Sequence, residues 1–162
     1  MQIREATEDD WARIWPIVQA VVDAGETYVW RPTPSLDEMR RIWLEPEPWH
    51  VVVAVSDDGT VVGTAKCGPN RPGRGSHVAT ASFMVDPARQ GEGIGRALGE
   101  HVIEWARQNG YHGMQFNAVV ATNTGALALW TSLGFSTVGI VPDAFDHPSQ
   151  GLVGLTVMYR QL

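Results

Sequence analysis

Gln90-Gly91-Glu92-Gly93-Ile94-Gly95-Arg96 follows an apolar run, Val78 to Val85, and opens a helical pattern. Strand, glycine turn and helix in that order build a pocket for a diphosphate. Gly91, Gly93 and Gly95 let the chain turn tightly and bring its N–H groups up to a guest with no Cβ in the way. The helix that starts here aims its unpaired amides and the positive end of its dipole at the same spot, so an anionic phosphate is the expected guest. Two familiar glycine motifs fail on the letters. A Walker loop needs Lys-Ser or Lys-Thr after its last glycine, where this chain has Arg96-Ala97. A dinucleotide fingerprint needs G-x-G-x-x-G, whereas Gly91, Gly93 and Gly95 alternate and the next glycine is Gly99.

What remains resembles the Q/R-x-x-G-x-G/A element of the GNAT superfamily of N-acetyltransferases, which cradles the pyrophosphate of acetyl-coenzyme A. A second stretch, Asn123-x-x-Ala126-x-x-x-Trp130-x-x-x-Gly134-Phe135, is similar to the family pattern N-x-x-A-x-x-x-Y-x-x-x-G-F. The resemblance implies an acetyl-CoA-dependent acyltransferase acting on a small-molecule amine. It implies that Phe83, Met84 and Val85 pair their backbone with the pantetheine arm. Gln90, Gly91, Glu92, Gly93, Ile94, Gly95 and Arg96 would hold the pyrophosphate. Asn123 and Trp130 would stand near the reactive end. Asn123 also suits a helix N-cap, and the two roles are compatible.

The chain departs from the family where protons are handled. Trp130 stands where many relatives carry a tyrosine, and indole donates a hydrogen bond without usefully giving up its proton. Ala118 stands where some relatives carry a glutamate base. Acyl transfer needs a neutral amine, and a lysine-like amine at pH 7 is mostly protonated, a deficit of about 4–5 kcal/mol. The leaving thiol departs readily as thiolate, so the missing tyrosine is a handicap only. Candidate bases are His77, at the mouth of the cofactor strand, and Glu26, in the aromatic loop where acceptors bind in this superfamily. Asn117 would bind substrate or satisfy a core hydrogen bond. Asp143 and His147 read as surface residues of a Pro/Asp loop. His50, His101 and His112 carry no spacing signal, and no pattern suggests a metal.

A narrower resemblance joins Gly25-Glu26-Thr27-Tyr28, Pro69-Asn70, Ser76-His77, Phe116-Asn117, Thr122-Asn123, Trp130 and Val141-Pro142 to the branch that acetylates proline-type cyclic amino acids. An acetylase of protein N-termini and a non-catalytic acyl-CoA-binding module are the competing readings.

The 162 residues suffice for one domain, 1–162, with a proper core. Apolar residues at 44% and charged residues at 19% describe a globular protein, and no run of about 18 apolar residues suggests a membrane span. The N-terminus shows no apolar signal core, so the cytoplasm is the expected location. Cys67, the single cysteine, reads as a small buried hydrophobe. Residues 1 to 60 carry twelve acids and five arginines, a balance of −7. Residues 66 to 96 carry Lys66, Arg71, Arg74, Arg89 and Arg96 against Asp86 and Glu92, a balance of +3. That local strip suits a polyanionic small molecule and not a nucleic-acid groove, which needs a broad basic face. A homodimer is compatible with the sequence.

The elements that must position these residues follow from pattern. Gln2 to Ala6 is strand-like. Thr7 and Asp10 open a helix through Ala24, kinked or split at Pro16. Residues 25 to 33 are irregular and aromatic. Ser35 and Glu38 form a capping box for a helix through Leu44, which Pro46 and Pro48 end. His50–Ser56 and Thr60–Cys67 flank Asp57-Asp58-Gly59 as a hairpin. A loop, Gly68 to Ser76, leads to the Val78–Val85 strand and a helix, 93 to 109, burying Ile94, Ala97, Leu98, Val102 and Trp105. Gly99 within that helix suggests close packing on the sheet. Gly113–Val120 is a strand, Asn123–Leu133 a helix, and Gly134 a left-handed cap with Phe135 folding back. Phe135–Ile140 and Leu152–Arg160 are the closing strands. The fold class is therefore α/β: a mixed, mostly antiparallel sheet with a central splayed parallel pair, flanked by helices.

Overall fold

The computed structural model describes residues 1–32 and 35–162; Thr33, the end of the irregular aromatic stretch, lies outside the described residues. Strands β1 (Gln2–Glu5), β2 (His50–Val55), β3 (Val61–Pro69), β4 (Val78–Val85), β5 (Gly113–Val120), β6 (Ser136–His147) and β7 (Gly151–Gln161) form one sheet in the order β1-β2-β3-β4-β5-β7-β6. Neighbours are antiparallel except β4 and β5, which are parallel and pair only at Val78–Gly113 and Ala79–Met114. Beyond those pairs the two strands part. β5 also shifts register against β7 between Phe116 and Val119. This is the expected α/β sheet with a splayed parallel pair.

Helices α1 (Trp11–Ala24) and α2 (Leu36–Trp43) cover one face, α3 (Ile94–Gln108) and α4 (Thr124–Ser132) the other. Ile14, Val18, Trp43 and Met84 lie in the first core; Leu98, Val102, Phe116 and Trp130 lie in the second. Cys67 is fully buried in that second core, and burial pushes its thiol up to about 12. The bland reading of this cysteine holds.

Several local expectations need correction. α1 runs unbroken through Pro16, after a single 3-10 turn at Glu8–Asp10. Pro16 and Ala12 are exposed, so water can serve the carbonyl that proline leaves unpaired. Ser35 is the N-cap of α2, but its side chain makes no capping bond, and the helix stops at Trp43. β3 extends through Gly68 and Pro69, which pair with Thr80 and Ala79. α3 buries Ile103 and Ala106 more deeply than Ala97 or Trp105. Gly99 faces α4, not the sheet: a Cβ there would lie 2.8 Å from Leu133 and 3.0 Å from Trp130.

The Pro/Asp loop does not exist as such. β6 continues to His147 and absorbs Val141 to Phe145 by a register shift against β7. Proline is tolerated because β6 is an edge strand, where a missing N–H costs no ladder bond. His147 is consequently buried at 6% exposure, whereas Asp143 is exposed, as expected, at φ 52°. No helix among the described residues is long and apolar enough to cross a membrane.

Candidate active site

Where β4 and β5 part, a cleft of about 380 Å³ opens. Its walls bring together Phe83, Met84, Val85, Gln90, Asn117, Asn123 and Trp130, seven of the residues singled out in the sequence. Strand alternation decides which of their main-chain groups face the gap. Asp86 N–H donates to Val62 O (3.0 Å) and Val78 O accepts from Asn70 N–H (2.8 Å), so the even-numbered residues of β4 pair with β3. Phe83 and Val85 therefore turn N–H and C=O toward the gap, and Met84 turns its own toward β3. The side chain of Met84 is buried on the α1 face.

Beyond Gln90 the glycine turn leads out of the cleft into α3. Gly91 and Gly93 take φ values of 85° and 79°, the left-handed region that glycine alone adopts at little cost. A Cβ at either would meet nothing within 4 Å, so the turn is an open bowl. Ile94, Gly95 and Arg96 form the first turn of α3, whose N–H groups have no intrahelical acceptor. Among the described residues, no main-chain bond outside the helices and strands uses an N–H from residues 90 to 96 as donor. These features fit a diphosphate held by neutral amides. Arg96 is occupied elsewhere, donating to Ser132 Oγ (2.7 Å) and lying 3.5 Å from Glu100. Glu92 is paired with Arg89 at 2.7 Å, which holds its carboxyl below the usual range.

Asn123 caps α4, its Oδ1 accepting from Ala126 N–H at 3.1 Å, while the residue lines the cleft. Both roles set out for it are therefore open to one side chain. Trp130 is 7% exposed and packs on Phe83 (4.7 Å), Phe116 (4.8 Å) and Phe135 (6.2 Å). It is the apolar floor of the cleft. Asn117 is exposed, not core; its side chain accepts from Gln115 (2.8 Å) and donates to Asn70 (2.7 Å).

The two proposed bases lie off the cleft wall. Glu26 is exposed, and it is the following residues, Thr27 to Trp30, that line the cleft. His77 sits before the paired start of β4, edge-on to His112 at 5.9 Å. Sequence reasoning passed over Thr80 and Ser82, which line the cleft. Period-two alternation along β4 places both on the face that carries Met84, and that signal was available. It also gave Tyr28 no role. The Tyr28 hydroxyl donates to Phe83 C=O (2.9 Å) and accepts from Phe83 N–H (3.0 Å), and its ring stacks on Trp30 at 4.8 Å and 4°. Burial pushes this phenol above its ordinary range. Among the described residues no group of three His, Cys, Asp or Glu side chains is placed to hold a metal ion.

The sheet and its cleft are those of an acyl-CoA transferase. Residues 5–135 match the acetyltransferase (GNAT) family, and the chain belongs to that family of acyltransferases, whose acyl donor is acetyl-CoA. A GCN5-related N-acetyltransferase from Kribbella flavida is 50% identical with a TM-score of 0.96, covering 99% of this chain and 97% of that one. yncA from Salmonella typhimurium, solved with its cofactor acetyl-CoA, is 30% identical with a TM-score of 0.84, covering 100% and 94%. The L-amino acid N-acyltransferase MnaT of Escherichia coli is 31% identical over 100% of this chain and 94% of its own. Some matches are partial: the chain spans about half, 47%, of N-acetyltransferase aca1 of Schizosaccharomyces pombe and 13% of the yeast protein SPT10.

Proposed function

We propose that the protein transfers the acetyl group of acetyl-CoA to the amine of a small molecule, an amino acid or a proline-like imino acid. The observation that carries this reading is the gap between β4 and β5. It presents the main-chain edge of β4, which β5 leaves and only the Tyr28 hydroxyl answers at Phe83, beside a bowl of unpaired amides, and Trp30 stacks on the Tyr28 ring. An extended arm can lie along Phe83 and Val85 as an added strand, its phosphates at Gly91–Arg96. The thioester, when bound, supplies the activated acyl group.

The chain's own residues would do the following. Val85 main chain and the glycine turn hold and orient the donor. Phe83 N–H meets the acyl oxygen as charge develops on it. Asn123, through its amide N–H₂, stands beside the reacting centre while its oxygen holds α4 in place. Trp130, Phe83 and Phe116 exclude water. His77 and Glu26 do not reach the cleft wall, so the acceptor's proton leaves through water past the hydroxyls of Thr80 and Ser82. Asn117, braced by Asn70 and Gln115, faces the acceptor end and is the side chain that would orient its polar group.

The relatives named for L-amino acids and for L-methionine sulfoximine and sulfone support an amino-acid-like acceptor. The modest cleft, walled by aromatic rings, suits such a molecule better than a protein N-terminus. A homodimer would use edge strand β6, which exposes Val138, Ile140 and Val141 beside Leu152 of β7; light scattering tests it. A cytoplasmic location accords with the lone unpaired Cys67.

Thiol release in the presence of acetyl-CoA, screened over amino acids, cyclic imino acids and short peptides, is the test. We expect an amino or imino acid to raise release well above hydrolysis. Cofactor binding with no response to any amine would leave a binding module only.

A further inference from the structure

We propose that Tyr28 is a catalytic residue: its hydroxyl joins the Phe83 main-chain N–H as the second donor to the acyl oxygen during transfer. The inference rests on the acetyltransferase reading of the cleft.

In an unbroken sheet, Phe83 N–H and C=O would pair with β5. The strands have parted beyond Ala79 and Met114, so that pairing is lost. Tyr28, 55 residues earlier in the chain, supplies the replacement by answering both groups with one hydroxyl, at 3.0 and 2.9 Å. Its oxygen accepts from the Phe83 N–H in the way a carbonyl oxygen of an extended guest would. The phenol oxygen therefore stands in for the acyl oxygen of the substrate.

A guest that lays a carbonyl on Phe83 N–H and an amide N–H on Phe83 C=O, as an added strand does, displaces the hydroxyl from both groups and frees its proton from the strand. The incoming oxygen is then the nearest new acceptor. The displacement asks little of the chain, because Tyr28 belongs to the loop after Gly25, which ends α1 at φ 67°, and not to a helix or strand. Trp30, stacked flat on the ring, keeps the phenol in the cleft.

Tyr28 is the cleft side chain bonded to both Phe83 main-chain groups, whereas Trp130 is packed among Phe83, Phe116 and Phe135, and Asn123, whose N–H₂ remains a donor, is anchored by its oxygen at the cap of α4. Burial also holds the phenol protonated into the alkaline range, where an amine acceptor is deprotonated and reactive. The hydroxyl thus remains a donor throughout. Transfer forms the C–N bond and breaks the C–S bond, the pair from C–S leaving on sulfur. The amine's proton passes to water, and Tyr28 ends the cycle protonated as it began.

The test is Tyr28→Phe, with acetyl-CoA affinity read by calorimetry and turnover by thiol release. The variant should bind acetyl-CoA as tightly as wild type or up to about fivefold tighter, having no hydroxyl to displace. Its kcat should fall about 100-fold, the scale of a lost oxyanion donor, with acceptor KM within about threefold. A tyrosine difference spectrum on adding acetyl-CoA should appear in wild type and be absent from the variant, which confirms displacement independently of turnover. Turnover within threefold of wild type overturns the assignment, as does a tenfold or greater loss of acetyl-CoA affinity, which would make Tyr28 a cofactor holder. Wild type that neither binds acetyl-CoA nor releases thiol overturns the acetyltransferase reading and this inference together; a functional wild type with a functional Tyr28→Phe overturns the inference alone.

Discussion

Asp10 shows how much one side chain can carry in the entry to the fold. Its carboxylate accepts from both terminal nitrogens of Arg4, at 2.7 and 2.8 Å, and from the N–H and hydroxyl of Thr7, at 2.8 and 3.0 Å. It is only 3% exposed, so each of those bonds replaces water that cannot return. The Arg4 guanidinium, first, and the Thr7 groups hold the Asp10 carboxyl well below the usual carboxylate range. Because the folded value is depressed, the unfolded chain binds the proton first as pH drops. The stabilisation is whole above the ordinary carboxylate value, near pH 4, and fades as pH falls toward the folded value. Asp10→Asn should cost about 1–3 kcal/mol at pH 7, a charge-assisted bond or two. Urea unfolding at a series of pH values should show the gap between wild type and variant narrowing below about pH 4. A gap that stays constant down to low pH would mean the carboxylate charge contributes nothing.

At the scale of elements, the features legible in the sequence were those encoded by neighbouring residues. The glycine turn, the Gly59 hairpin, the Asn123 cap and the Gly134 left-handed stop each depend on a handful of consecutive φ values and one local hydrogen bond, and each is present. Features that depend on what arrives from elsewhere were not legible. Nothing near Tyr28 announces Phe83, and nothing near Val141-Pro142 announces that β7 will hold the chain extended to His147. Gly99 shows both sides: its spacing signalled a close contact, but only the fold says that α4 makes it. The same division leaves Asn123 with two roles that a change of one atom separates. Asn123→Asp keeps an acceptor for Ala126 N–H and puts a negative charge at the start of α4, where the helix dipole welcomes it. It removes the N–H₂ donor facing the cleft. Thermal stability should hold or rise slightly while kcat falls about tenfold or more, acetyl-CoA affinity changing little. Unchanged turnover in a stable variant would reduce Asn123 to a cap.

For the molecule as a whole, charge and grip pull in different directions. The chain carries a net −6, concentrated in its first 60 residues, yet the site is read as taking a polyanion. A protein that gripped phosphate by side-chain charge would keep its arginines free and would lose affinity steeply in salt. Here Arg96 is tied to Ser132 and Glu100, Arg89 to Glu92, and Arg71 to the Asn70 carbonyl. The donors left at the turn are neutral N–H groups, whose hydrogen bonds act at contact distance and are little screened. Added salt also screens the repulsion between the acidic surface and the ligand, and that effect has the opposite sign. The two long-range terms therefore partly cancel. Acetyl-CoA affinity, followed by calorimetry from about 50 to 500 mM sodium chloride, over which the screening length shrinks from well above 10 Å toward 3 Å, should fall less than about tenfold. A fall of a hundredfold or more would show that free guanidinium groups, and not the main chain of the glycine turn, hold the phosphates.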